Sequence, residues 1–479
     1  MTDSRLNNSG FVKDLSWYLL GTLIPMGIGF IKTPVFTRYF TPEEFGYLGL
    51  ISITFSYISV FLYSWLSGCL WRYYNAYKEK KDLKSLYSNL FFIFAGASAL
   101  LLIVSVVWYF LADSVIVKQL ILLSFGQYLI REMIGLYLIV ARLEGKALKY
   151  NIIHSLRAII SFVVLYVMAF GYHFRITSML TSAIVVDVIA LVFLLTINKE
   201  GIVISVKNIS KPILNVLMKF GSVGLISNFC FLLVSSSDRY IIALFTDMAS
   251  VGIYNQVYSI SQLSVVALVT VYFNTINPKL NKELEINFDN ADNLLSRYLY
   301  AFLLAGLPVI TVLSLFSKEI AVVLLGEEFR SGYTIMPYVF VSAFLYGLFM
   351  FIEIKFKFAD KLRNIAIGVI IASLLNIGLN FILIPLYGYK WAAITTLIAY
   401  LFLVFYFYLQ DSLGFFKNSS FLKTISSAIA ILMIMIAADR LMRYYYAPNI
   451  VQTIVEGILL LGLYVLIFRK KFTSLKIPV

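Results

Sequence analysis

Stretches of about twenty apolar residues follow one another along the whole chain, separated by short polar connections, and each is long enough to cross a bilayer as a helix. Six such runs lie near 15–36, 45–70, 87–112, 115–141, 150–170 and 174–197. Eight more follow near 212–237, 248–274, 293–316, 332–355, 363–386, 389–410, 419–438 and 449–468. The pattern predicts an all-α integral membrane protein of about 14 transmembrane helices. Residues 1–200 form an N-terminal six-helix bundle, 201–412 a C-terminal six-helix bundle, and 413–479 two additional helices with a cytoplasmic tail.

The two bundles read as copies. Laying Gly46 on Gly252, an offset of 206, aligns FTRYFTPEEFGYLGLISITFSYIS with IALFTDMASVGIYNQVYSISQLS. Each is a span, a short polar turn, a glycine and a serine-punctuated span. GYHF at 171–174 and GYKW at 388–391 likewise join the fifth span to the sixth and the eleventh to the twelfth. Repeats of this kind place a transport pathway at the interface between the halves.

Charge sets the orientation. Of the 39 Lys and Arg, 26 fall in the terminal tails and alternate loops, 10 in the intervening connections, and three (Arg131, Arg157 and Lys219) within spans. The positive-inside rule therefore puts both termini in the cytoplasm. The formal charge of +14 is accounted for by these loops and their contact with anionic lipid, so no nucleic-acid partner is implied. The first run is a full membrane thickness with no small-residue cleavage site after it, and is expected to insert directly rather than be removed.

Composition removes most other classes. The chain is 61% hydrophobic and 13% charged, against roughly a quarter charged in soluble proteins. Two cysteines, Cys69 and Cys230, and two histidines, His154 and His173, supply neither a disulfide framework nor a zinc cluster, so no metal site is expected. There is no G-x-x-x-x-G-K-[ST] loop for nucleotide hydrolysis and no paired-carboxylate or nucleophile constellation, so the protein is not expected to be an enzyme.

What remains is charge inside the membrane, which is costly unless it faces a partner or a cavity. Arg131 and Glu132 lie mid-span in GQYLIREMIGLY, with Gln127 one turn before Arg131; they are either a salt-bridged pair between helices or the lining of a cationic cavity. Asn151, His154, Arg157 and Ser161 make one polar stripe on the fifth span, where Arg157 either lines a cavity or snorkels to the headgroups. Asp187, in the sixth span, is expected to pair with Arg157 or Arg131 or to bind a coupling proton; Glu132 is the second carboxylate open to ion coupling. Lys32 with Arg38, and Asp238 with Arg239, flank the outer ends of the first and seventh spans as anchors or cargo contacts. Lys219 either snorkels or lines an inward opening, and Glu456 pairs between helices or between subunits. A stripe of Ser52, Ser56, Ser59, Tyr63 and Ser67 faces either water or a helix contact. No cofactor is called for beyond H⁺ or Na⁺ as a coupling ion.

Three segments resemble a known family: TPEEFGYLGL at 41–50, SDRYIIALFTDMASVGIYNQVYSIS at 237–261, and SLLNIGLNFILIPLYGYKWAAITTLIAY at 373–400, the last with Trp391 where the family commonly has Gly. The chain is similar to the oligosaccharide and polysaccharide flippases, Wzx-like members of the multidrug, oligosaccharidyl-lipid and polysaccharide exporter superfamily. The resemblance implies a flippase of the bacterial cytoplasmic membrane. Its cargo would be an undecaprenyl-pyrophosphate-linked repeat unit of O-antigen, capsule or another surface polysaccharide, carried by alternating access through a cationic central cavity. Arg131, Glu132, Arg157, Lys32, Arg239 and Lys219 are the candidates for contact with the cargo. Membrane lipids, a polymerase and a chain-length regulator would be its neighbours. Two other members of the superfamily stay open: a cation-coupled multidrug exporter, whose chamber would be richer in carboxylates, and a flippase for lipid-linked peptidoglycan precursor. A polytopic glycosyltransferase or polymerase would need a larger extramembrane loop than any present.

Overall fold

The computed structural model describes residues 8–144, 147–197, 202–410, 419–445 and 450–474. Among these there are helices and connections but no strand. Arg5, Lys146, Lys199, Lys417 and Lys476, which contribute to the expected cytoplasmic charge, lie outside the described residues. Among the described residues thirteen helices are long and apolar enough to span a membrane, and Leu23–Phe36 adds a shorter apolar segment at the place of the first expected span.

Packing divides the chain into two units, Met1–Lys32 with Glu43–Ser236 and Thr33–Pro42 with Ser237–Val479. The first holds most of α1 (Asn8–Phe36), then α2 (Pro42–Leu62), α3 (Ser64–Glu79), α4 (Leu83–Leu111), α5 (Val115–Leu143), α6 (Ala147–Tyr166), α7 (Ser178–Ile197) and α8 (Lys211–Ser236). Helix α8 lies against α3 and α4, which carries the first unit to Ser236. Ile134, Tyr137 and Leu138 of α5 meet Ile153 of α6 and Ala190 and Leu194 of α7 in an apolar core.

The connection before α8 is fastened to the start of α4. Asn89 is fully buried; its amide donates to the Asn208 carbonyl at 2.9 Å and its Oδ1 accepts from the Ser210 backbone N–H at 2.9 Å. Beside it the Ser205 N–H donates to Ser88 Oγ at 2.9 Å. Buried backbone groups need such partners, and a polar cluster at the head of an apolar helix supplies them.

The second unit holds α9 (Asp238–Phe245), α10 (Met248–Ile286), α11 (Ala291–Leu315), α12 (Ser317–Leu324), α13 (Met336–Phe358), α14 (Leu362–Tyr387), α15 (Trp391–Leu409), α16 (Ser419–Tyr445) and α17 (Ile450–Ser474). Helix α13 packs on α10, α11 and α15 and carries no charged residue before Glu353, as a helix surrounded by others should. Leu304 of α11, Ala428, Leu432 and Met435 of α16, and Tyr464 and Phe468 of α17 join the last two helices to this unit. Helix α10 opens on an N-cap, Asp247, whose carboxylate accepts from the Ser250 N–H at 2.7 Å. Replacing Asp247 with alanine is expected to cost about 1 kcal/mol, seen as a lower melting temperature of the purified protein.

The segment at 373–400 is a helix-to-helix ladder. Asn376 donates to Thr396 Oγ1 at 3.3 Å, Asn380 donates to Asn376 Oδ1 at 3.2 Å, and Thr395 donates to Asn380 Oδ1, all four side chains being buried. It closes α14 on α15 across a turn in which Gly388 has φ 82° and ψ 179°. That region belongs almost entirely to glycine. An added Cβ at Gly388 would meet nothing within 4 Å, so the strain is in the backbone alone. Gly388→Ala is expected to lower stability by about 1–3 kcal/mol without altering the packed core. A melting temperature equal to wild type would contradict this.

Candidate functional site

Helix α5 carries Arg131 near its centre. The guanidinium lies over the ring of Tyr128, one turn earlier, at 4.0 Å from the ring centroid, and Nη2 is 3.2 Å from Glu132 Oε1. Both supports are fixed from α2. The Tyr128 hydroxyl donates to the Ser52 carbonyl at 2.7 Å and shares a 2.7 Å hydrogen bond with Ser56, while Ser59 donates to Glu132 Oε1 at 2.8 Å. The α2 serines at 52, 56 and 59 thus engage α5, one serine hydroxyl or carbonyl per turn. Arg131 nevertheless keeps 40% of its side chain exposed, against 18% for Arg157 and 4% for Arg239. It is the most open of the three candidate guanidinium groups.

Arg157 is held by Asp187, with Nε and Nη2 at 2.9 and 2.6 Å from one carboxylate oxygen, Oδ1. The rest of the α6 stripe faces inward: Asn151 is buried against Gly21, and His154 hydrogen-bonds the Gly21 backbone. Arg131 is near enough to Asp187 to act on it electrostatically. Two guanidinium groups and two carboxylates are thus gathered in this unit, with Arg131 the more open of the two cations. The low dielectric of a span demands such counter-charges.

The remaining candidates separate. Arg239 is 3% exposed and lies in a buried ion pair with Asp238. Its Nη1 donates to Asp238 Oδ1 at 2.6 Å, Tyr254 donates to Asp238 Oδ2 at 2.5 Å, and the guanidinium sits 4.2 Å from the Tyr258 ring centroid. Arg38 donates to the carbonyls of Pro34 and Val323 at 2.6 and 3.0 Å, tying the end of α1 to α12. Lys32 is half-buried on α1 and Lys219 is exposed on α8. Among the described residues no group of three or more His, Cys, Asp or Glu side chains is arranged to hold a metal ion.

Tyr128 was not singled out by sequence reading, although an aromatic residue three positions before an arginine on one helix face is a legible signal. Its anchoring to Ser52, 76 positions away, is not legible.

The fold defines a multi-spanning helical membrane protein. The chain belongs to the polysaccharide biosynthesis protein family, whose model matches residues 11–282. No curated protein sequence matches it. Among solved structures it is similar to the lipid II flippase MurJ in an inward closed conformation, with a TM-score of 0.69 and 18% identity over 94% of this chain and 98% of that one. It is also similar to an inward-facing multidrug resistance MATE family transporter of the MOP superfamily, with a TM-score of 0.62 and 14% identity over 83% and 96% of the two chains. A point mutant of the Vibrio cholerae MATE transporter VcmN gives a TM-score of 0.59 and 14% identity over 86% and 99%. The fold is that of MurJ and the MATE transporters.

Proposed function

We propose that the protein is a flippase for an undecaprenyl-pyrophosphate-linked oligosaccharide, the repeat unit of an O-antigen, capsule or other surface polysaccharide, in a bacterial cytoplasmic membrane. The observation that carries this beyond the family is Arg131: a guanidinium in the middle of a span, half open, stacked on Tyr128 and steadied by Glu132. A guanidinium presents a fork of donors that matches phosphate oxygens. An exporter of cations would instead be expected to leave a carboxylate open, whereas Asp187 is closed off by Arg157.

The physical need is clear. A lipid-linked sugar cannot cross hydrocarbon unaided, because its hydroxyls and pyrophosphate would all shed water. A polar site exposed first to one face of the membrane and then to the other removes that cost, while the isoprenoid tail stays in lipid. Outward movement of the anion is favoured by about 2.3 kcal/mol per charge per 100 mV of a negative interior. Both termini lie in the cytoplasm in this reading, and no bond of the cargo is made or broken by the protein. A polymerase and a chain-length regulator act on the delivered unit.

The test is transport of a fluorescent undecaprenyl-pyrophosphate oligosaccharide in proteoliposomes. The wild-type protein is expected to make the label accessible to an external quencher, and Arg131→Ala to slow that gain about ten- to a hundred-fold. Equal transport of an organic cation, with none of the pyrophosphate lipid, would replace this reading with drug export.

A further inference from the structure

The guanidinium of Arg131 occupies one position of a longer strip on α5. Residues four apart stand one above another on a helix face, and Gln127, Arg131 and Gly135, at that spacing, are all half-buried. Packing flanks the strip on both sides. Tyr128 and Glu132 bond to the α2 serines on one side, and on the other Ile134 and Leu138 enter the apolar core with Ile153 of α6 and Ala190 and Leu194 of α7. A helix that turns by about 100° per residue leaves Gln127, Arg131 and Gly135 between those two faces. Towards the start of α5 the strip is closed by Ser124, which is 0% exposed. All of these residues belong to the first unit.

Neither end of the strip is explained by folding. Gln127 places a carboxamide within a span, where polar groups need partners, and among the described residues it makes no hydrogen bond. Its donors and its acceptor are left for a ligand. Gly135, one turn beyond Arg131, is a different kind of vacancy: an added Cβ would meet nothing within 4 Å. At Gly347 and Gly457, by contrast, the same atom would come within 2.6 and 2.7 Å of the Phe302 and Phe316 rings, so glycine there serves helix packing. Glycine weakens a helix relative to alanine, and at 135 no close contact offsets that cost. From Gln127 to Gly135 the strip runs about 12 Å along the helix, the length of a pyrophosphate and one sugar ring end to end.

We propose that this strip sets which cargo is accepted: the pyrophosphate lies on Arg131 and over the clearance at Gly135, and Gln127 hydrogen-bonds the sugar joined to it. That sugar is neutral and offers a donor and an acceptor side by side, as a vicinal diol or an acetamido group does. A carboxamide presents N–H donors and a C=O acceptor together, the complement of either group. The carboxylate of an acidic sugar only accepts, and would leave the amide oxygen without a donor. The inference rests on the flippase reading of the Arg131 site and adds Gln127 and Gly135 as its specificity-determining residues.

Binding of synthetic lipids to the purified full-length protein in nanodiscs tests it, the probes being undecaprenyl pyrophosphate and the same lipid carrying one glucose or one N-acetylglucosamine. Wild type is expected to bind a sugar-bearing lipid about three- to ten-fold more tightly than the bare one, the range of one neutral hydrogen bond. Tighter binding of the glucosyl lipid identifies the diol, and of the N-acetylglucosaminyl lipid the acetamido group. Gln127→Met should lose the preference yet bind the bare lipid as wild type does, which also reports an intact site. Gly135→Phe should weaken both lipids while melting no lower than wild type, because its ring enters open space. A preference that survives in Gln127→Met, a wild type with none, or normal binding by Gly135→Phe overturns the proposal. Arg131→Ala separates this from the reading beneath it: it should weaken bare and sugar-bearing lipids alike, and if it binds both as wild type does, the flippase reading of the site itself fails.

Discussion

Arg131→Ala leaves the protein in the membrane at wild-type abundance and lowers surface polysaccharide about ten- to a hundred-fold. The magnitude follows from one charge-assisted hydrogen bond to a phosphate oxygen, worth roughly 1.5–3 kcal/mol, with about 1.4 kcal/mol to each factor of ten. The loss of stability is expected to be smaller than at a sealed pair, because the Arg131 side chain is 40% exposed and Glu132 keeps the Ser59 hydroxyl as a donor. Arg131→Lys should fall between the two, since lysine keeps the charge but neither the flat stack on Tyr128 nor the fork of donors. Tyr128→Phe, which keeps the ring and removes the bonds to Ser52 and Ser56, should cost far less than Tyr128→Leu. Polymer is read on gels of cell-surface extracts beside an immunoblot of the tagged protein. Normal polymer from Arg131→Ala at equal abundance would remove this residue from the transport site.

Arg239→Ala has the opposite signature, loss of the protein itself. It strands the Asp238 carboxylate, 0% exposed, beneath Tyr254, and breaking a buried pair by removing one partner costs about 3–5 kcal/mol. The purified variant should unfold well below the wild-type temperature, or fail to accumulate in the membrane. Replacing both partners together, Asp238→Leu with Arg239→Met, should be milder, since no lone charge then remains. Equal melting of Arg239→Ala and wild type would contradict the assignment of Arg239 as a structural cation.

The contrast between these arginines shows what sequence can carry. Apolar runs of membrane thickness place the spans, because hydrocarbon demands them over some twenty consecutive residues. The same smooth signal hides the breaks between α2 and α3 at Tyr63, between α8 and α9 at Ser237, and between α11 and α12 at Phe316. A charge within a span is equally visible, but its partner is set by tertiary packing. Arg131 and Arg239 each stand beside a carboxylate in sequence and pair with it, yet one is open and the other sealed, according to which neighbouring helices cover them. Asp187 has two arginines within the same half of the chain; packing of α6 on α7 gives it the short bonds to Arg157. The convergence of Glu319, Asp439 and Glu456 on Arg443 draws on three helices and has no single pattern along the chain.

The fastening of the connection before α8 to Asn89 bears on how this protein is handled at the bench. The stretch from Ser205 to Ser210 has the composition of a tether between halves, the usual place to insert an epitope or a fluorescent reporter. Because Ser205, Asn208 and Ser210 all bond to the head of α4, a cargo spliced in there would pull apart the buried amide of Asn89 and register as poor expression. For the same reason, a protease added from that side of the membrane should leave this connection intact long after more loosely held loops have been cut.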